Sequence, residues 1–168
     1  MERMDMKKAV ALAMKGEIEG RELYKMAASN TEDAKAKEVF SYLAEEEQKH
    51  FDWLKNLYDS VGKNEAYEVP SMVKLVRFDD VQNPIFSREF KNRIGIKHFE
   101  MSALSIALKL ELDASHFYRK LAEECGDESL KGFFMKLSEW ENGHYEALNQ
   151  EISYLEDEYY QANHFSPF

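Results

Sequence analysis

A chain of 168 residues is long enough to bury a core of its own, and one domain is expected. Its 32 Asp and Glu outnumber 22 Lys and Arg, and the net charge of −10 argues against nucleic-acid backbones and anionic membranes as partners. Seven Gly and three Pro predict a mostly helical chain, and the one cysteine, Cys125, rules out an internal disulfide and a four-cysteine metal module within these residues.

Residues Met1 to Asp5 contain no uninterrupted apolar run, and no later stretch approaches the length of a bilayer span. A cytoplasmic location is therefore expected. A first helix is predicted over about 5–29, because Val10, Ala13, Glu17, Gly20, Tyr24 and Ala27 fall at alternating steps of three and four. Asp33 is the expected N-cap of a second helix over about 33–61, with Phe40, Leu43, Glu47, His50, Leu54, Leu57 and Val61 on its inward stripe. Residues from about 62 to 101 break the pattern with Gly62, Pro70, Pro84 and Gly95, and Pro84 is placed to open a short helix there. A third helix follows over about 102–125, with Leu104, Ala107, Glu111, Ala114, Tyr118 and Leu121 inward. Asp127 then caps a fourth over about 127–157, carrying Phe134, Leu137, Glu141, His144, Leu148 and Leu155. The tail from Tyr159 is assigned no chemistry.

Shifted by 94 positions, residues 107–148 lie on residues 13–54 without a gap, and thirteen positions are identical. Among them are Glu17/Glu111, Tyr24/Tyr118, Asp33/Asp127, Glu47/Glu141 and His50/His144. Each copy is a helix pair, half of a four-helix bundle. The long link between copies has a reason if helices two and three lie parallel, since it must then return along the bundle, on the order of 30 Å for some twenty helical residues. The expected fold is an all-α, four-helix bundle in which two repeated helix pairs are joined by a long crossover, making a single domain over 1–168.

The chemistry sits where leucines belong. Glu47 and His50 are three apart on one helix face, as are Glu141 and His144, and a lone Glu lies thirty positions upstream of each pair, Glu17 and Glu111. All six fall on inward stripes. Glu17 and Glu47 are about equally far from the turn between their helices, as are Glu111 and Glu141, so antiparallel pairing brings them level. Four carboxylates in an apolar core would repel one another and take up protons unless compensated. Two divalent cations would balance them, with neutral His50 and His144 supplying nitrogen lone pairs, and such mixed donors suit iron, manganese or zinc. One Glu from each of two helices plus Glu-x-x-His from each of the other two is the ligand pattern of di-iron and di-manganese carboxylate bundles.

On these residues, and on the runs Glu17-Ile18-Glu19-Gly20-Arg21-Glu22-Leu23-Tyr24 and Leu43-Ala44-Glu45-Glu46-Glu47-Gln48-Lys49-His50, the chain resembles a ferritin-like di-iron carboxylate protein of the rubrerythrin type over about residues 7–155. The resemblance implies a ferritin-like topology and two iron ions, bridged by Glu47 and Glu141, with Glu17 and Glu111 terminal and His50 and His144 completing one metal each. It implies an oxidoreductase acting on peroxide or dioxygen, in a homo-oligomer with a dimer favoured. Non-catalytic iron storage and a dimanganese catalase-like activity are the alternatives the same ligands allow. Rubrerythrins proper append a four-cysteine iron domain, which one cysteine cannot supply, so an external electron donor is expected. They also carry a carboxylate one turn after the first on helix three, linked in the family to peroxide-dependent movement of one iron; Ala114 stands in its place here.

Gly20 and Ala114, at matched inward positions, either leave room beside the proposed metals or let the helices pack closely. Tyr24 and Tyr118, two turns past Glu17 and Glu111, read either as core aromatics with a polar handle or as hydrogen-bond donors to metal-bound carboxylates. His98, His116 and His164, without counterparts in the repeat, are expected on the surface or in loops, and Glu45, Glu46 and Glu139 on a solvated face. Cys125 is expected to be semi-buried near a helix end.

Overall fold

Two aspartates start the second member of each helix pair. Asp33 Oδ1 accepts from Ala36 N at 2.8 Å, and Asp127 Oδ1 accepts from Ser129 N and Leu130 N at 2.8 and 3.0 Å, so the caps predicted from the repeat hold on both sides. The computed structural model describes residues 6–61, 85, 98–162 and 164, with the side chains of 154 and 157–162 outside that set. Its helices are α1 (Met6–Asn30), α2 (Ala34–Val61), α3 (His98–Glu124) and α4 (Glu128–Ala162).

Two ends differ from expectation. Helix α3 begins four residues early, at His98, where Glu100 in its first turn suits the positive end of the helix dipole. Helix α4 runs on to Ala162 because its buried stripe continues through Glu151, Ile152 and Leu155, and no Gly or Pro intervenes before Pro167. The helix expected after Pro84 lies outside the described residues except for Ile85. That residue is buried, and its amide donates to Glu151 Oε2 at 3.1 Å.

Helix α1 packs along α2, α3 along α4, and α1 also against α3. The short turn at residues 31–33 makes α1 and α2 antiparallel. Tyr24 reaches Glu111 while Tyr118 reaches Glu17, so α1 and α3 are antiparallel as well. Hence α2 and α3 run parallel, the arrangement that requires a long crossover.

The apolar core divides in two. One cluster, with Tyr24, Phe40, Leu43, Leu104 and Leu148, fills the end near the α1–α2 turn, and Ile85 joins it. The other, with Leu54, Leu57, Tyr118, Phe134 and Leu137, fills the end near the α3–α4 turn. Identical residues of the repeat fall in opposite clusters, Phe40 in one and Phe134 in the other. Between them lies a layer of buried carboxylates and imidazoles.

Candidate metal centre

Each helix contributes to that layer at mid-height: Glu17 from α1, Glu47 and His50 from α2, Glu111 from α3, Glu141 and His144 from α4. All are buried, none more than 4% exposed. A helix brings residues three and four apart onto one side, so each Glu-x-x-His pair points to the axis together. His50 Nδ1 lies 2.9 Å from Glu141 Oε1 and 3.4 Å from Glu17 Oε2. His144 Nδ1 lies 3.4 Å from Glu111 Oε2, 3.5 Å from Glu141 Oε2 and 3.7 Å from Glu47 Oε1. The structure therefore brings all six predicted ligands together.

These contacts lack the geometry of hydrogen bonds. Both ring nitrogens of His50, both oxygens of Glu141, Glu17 Oε2 and Glu47 Oε1 are buried without a hydrogen-bond partner among the described residues. Native interiors rarely leave polar atoms so. Donor atoms bound to one ion at about 2.1 Å lie roughly 3.0 to 3.4 Å apart, close to the spacing seen here. Two groups of four fit such an ion: Glu17, Glu47, His50 and Glu141, and Glu47, Glu111, Glu141 and His144. Glu47 and Glu141 belong to both.

The electrostatics of the cluster follow from burial and crowding. Burial raises Glu47 well above the usual carboxylate range, and Glu141, Glu111 and Glu17 push it further. Glu111 is pushed up to about 7 by burial, against the opposing pull of His144. Burial opposes a charge on His50, yet Glu141 and Glu17 overcome it and raise the imidazole to about 10. His144 is raised in the same way by Glu111 and Glu141. Burial would raise Glu141 too, but His50 and His144 hold it well below the usual range. Without cations, protons hold the cluster together.

Tyr24 donates its hydroxyl to Glu111 Oε1 and Tyr118 donates to Glu17 Oε1. Each tyrosine serves the glutamate of the other repeat copy, because a residue two turns along its own helix is about 10 Å away. Burial keeps both phenols protonated, and Glu111 beside Tyr24 and Glu17 beside Tyr118 add to that. Gly20 is a point of close approach: a Cβ there would sit 3.1 Å from Glu47 Oε2.

The carboxylate side opens on a cavity of about 290 Å³ between α1 and α3, floored by Glu17, Glu47, Glu111 and Glu141. Neither histidine lines it. The histidine side is closed by two tryptophans that the predicted stripes did not include. Trp140 stacks on His50 at 5.5 Å and 9°, and on Trp53 at 5.2 Å; Trp53 in turn lies 5.6 Å from His50. Trp53 is three residues after His50 on the same side of α2, and that spacing was the available signal.

One expectation is corrected. Glu46 is buried rather than solvated, 3% exposed, because it flanks the inward stripe and Lys49 Nζ pairs with it at 2.7 Å one turn on. It also raises the neighbouring Tyr42 hydroxyl, which burial and Glu46 push up to about 12. Glu45, Glu139, His98, His116 and His164 are exposed, and Cys125 is half-buried.

The rubrerythrin family model matches residues 8–152. Among solved structures, a hypothetical protein from Pyrococcus furiosus is 27% identical, with 94% of each chain covered and a TM-score of 0.68. No curated protein matches. Among the described residues no helix is long and apolar enough to cross a membrane.

Proposed function

The chain belongs to the rubrerythrin family, and from that premise we propose that it is a di-iron oxidoreductase that reduces peroxide or dioxygen with electrons from an external donor. The observation that carries this reading is the sharing of Glu47 and Glu141 between two four-residue groups of donor atoms. Those two carboxylates would be shared by the two metals. Glu17 and His50 would help hold one, Glu111 and His144 the other. Carboxylate and imidazole donors suit iron, with manganese or zinc as competitors for the same places.

A bound di-iron pair would supply the two electrons that the oxidant needs. The rest is the work of side chains. Tyr24 and Tyr118 fix one oxygen of each terminal carboxylate by hydrogen bonding, leaving the other for the metal. The cavity over the carboxylates admits the oxidant, and the tryptophans keep water from the histidines. A dimer in the cytoplasm, reduced by a separate electron-transfer protein, completes this reading.

Ferrous loading under argon, followed by metal analysis and an optical spectrum after peroxide, tests the proposal. Two irons per chain and a ferric charge-transfer band are expected. Glu47→Ala or Glu141→Ala should lose at least one of the two metals, since removing a bridge leaves both ions short of a donor. Retention of both metals in either variant refutes the bridging assignment, and a chain that binds no iron refutes the function.

A further inference from the structure

The cavity above the carboxylates is larger than the oxidants just named require. Hydrogen peroxide has two heavy atoms and needs about the room of two waters, some 30 Å³ each. About 290 Å³ approaches the lower end of sites that hold small organic molecules, commonly 300 Å³ or more. The surplus has a definite character. Besides its four glutamates and the charged residues discussed next, it is lined by small and apolar residues, among them Leu12, Ala13, Gly16, Gly20, Ala114 and Phe117. Leu12 is 57% exposed, a large aliphatic side chain at the mouth of a cavity.

The charges at the mouth are already engaged. Lys15, the lining cation among the described residues, pairs with Glu19 at 3.2 Å, and Asp113 pairs with Lys109. Among the described residues the mouth carries Glu19 and Asp113 against Lys15 alone, and that acidic excess, with the net charge of −10, disfavours a carboxylate or phosphate. An occupant must be uncharged, apolar over most of its surface, and polar at the end that meets the floor.

We propose that the physiological oxidant class is uncharged organic hydroperoxides of about the size of cumene hydroperoxide, with the organic group held between α1 and α3 and the O–O group directed to Glu47 and Glu141. This rests on the di-iron reading above. The O–O bond would be cleaved by two electrons that a bound iron pair supplies; with two protons the hydroperoxide would leave as alcohol and water, the pair being left oxidised by two electrons. The external donor then returns the two electrons. Gly16 and Ala114 set the size limit. Gly16 faces open space, and a Cβ added there would meet nothing within 4 Å, so a large residue narrows the mouth without a clash in the fold.

The test has two arms. In the first, cumyl alcohol, the product, is titrated into metal-free protein and followed by NMR. Saturable shifts confined to residues lining α1 and α3 are expected, weakened about tenfold or more in Gly16→Phe. In the second, ferrous-loaded protein is mixed in single turnover with cumene hydroperoxide or hydrogen peroxide. The ratio of their rate constants should fall about tenfold or more in Gly16→Phe, and likewise in Ala114→Phe. Helix propensity favours Phe over Gly at an exposed helical site, so Gly16→Phe should fold even if Ala114→Phe does not. No cumyl alcohol binding at millimolar concentration, or an unchanged ratio in Gly16→Phe, overturns the proposal. Turnover of hydrogen peroxide with neither effect overturns it while leaving the di-iron function standing. Alcohol binding without oxidation of iron by either peroxide overturns the function, and with it the assignment of the occupant as an oxidant.

Discussion

The two faces of the buried cluster are built on opposite plans. The carboxylate face, between α1 and α3, obeys the internal repeat: Tyr24 to Glu111 is answered by Tyr118 to Glu17, and small residues, Gly20 and Ala114, hold matched places. It is open. The histidine face abandons the repeat. Trp53 has Ala147 as its counterpart and Trp140 has Glu46, so the aromatic pair over His50 is not a product of the repeat. It is closed. The repeat therefore preserves the candidate ligands and their hydrogen bonds, while its departures decide which side aromatic rings cover.

Removing the plug should erase the contrast and have the largest effect on stability. Trp140 is half-buried and contacts His50 and Trp53, so Trp140→Ala should cost about 2 kcal/mol, below the ~3–5 kcal/mol of a fully buried Trp. At roughly 2–4 °C per kcal/mol for a chain of this size, Tm should fall about 4–8 °C. Release of bound zinc to a chelator should also accelerate. An unchanged Tm and release rate would mean that the tryptophans are not what closes this face.

The faces also differ in how they hold protons when metal-free. Glu111 rises from its ordinary 4.5 to about 7 on folding, so the folded chain holds an extra proton between these values and loses stability as pH climbs through them. His50 rises from 6.5 to about 10, so its contribution is complete below 6.5 and is lost as pH climbs to about 10. Glu141, held low by both histidines, works in the opposite sense, and its contribution is lost only in acid. Metal-free protein should thus melt several degrees lower at about pH 9 than at about pH 6. Metal-loaded protein, its protons displaced, should show a much smaller difference. A flat or rising Tm for the metal-free chain over that interval would contradict the assignment of protons to the cluster.

What the sequence disclosed and what it withheld divide along the same line. Inward stripes with Glu17, Glu47, His50, Glu111, Glu141 and His144 in place of apolar residues follow from helical periodicity, and the repeat doubled each signal. Parallel α2 and α3 followed from the length of the link. The helix ends were less legible, because α3 starts and α4 continues where no cap or breaker marks the change. The closed face was not legible as a repeat at all, since Trp53 and Trp140 come from different helices and different repeat positions and meet only through packing. Glu46 was misplaced for a related reason: the partner that makes its burial tolerable, Lys49, reads in sequence as one more surface charge.

The smallest change tests whether the open face is as symmetric as its hydrogen bonds suggest. Gly20 and Ala114 are equivalent, yet one carries a methyl and the other does not, and a Cβ on Gly20 would lie 3.1 Å from Glu47 Oε2 and 3.3 Å from its Cδ. That is tight but not prohibitive, and the neighbour that must yield is the end of a side chain. Gly20→Ala gains about 1 kcal/mol of helix propensity. It should therefore leave Tm level or slightly raised while shifting the Glu47 carboxylate by a few tenths of an ångström. Because Glu47 belongs to both donor groups, the shift should weaken metal binding a few-fold, with the second equivalent dissociating first in a chelator titration. Equal affinity for both metals in Gly20→Ala, with Tm raised, would show that the equivalence of Gly20 and Ala114 extends to the methyl and that the glycine is there for passage into the cavity alone.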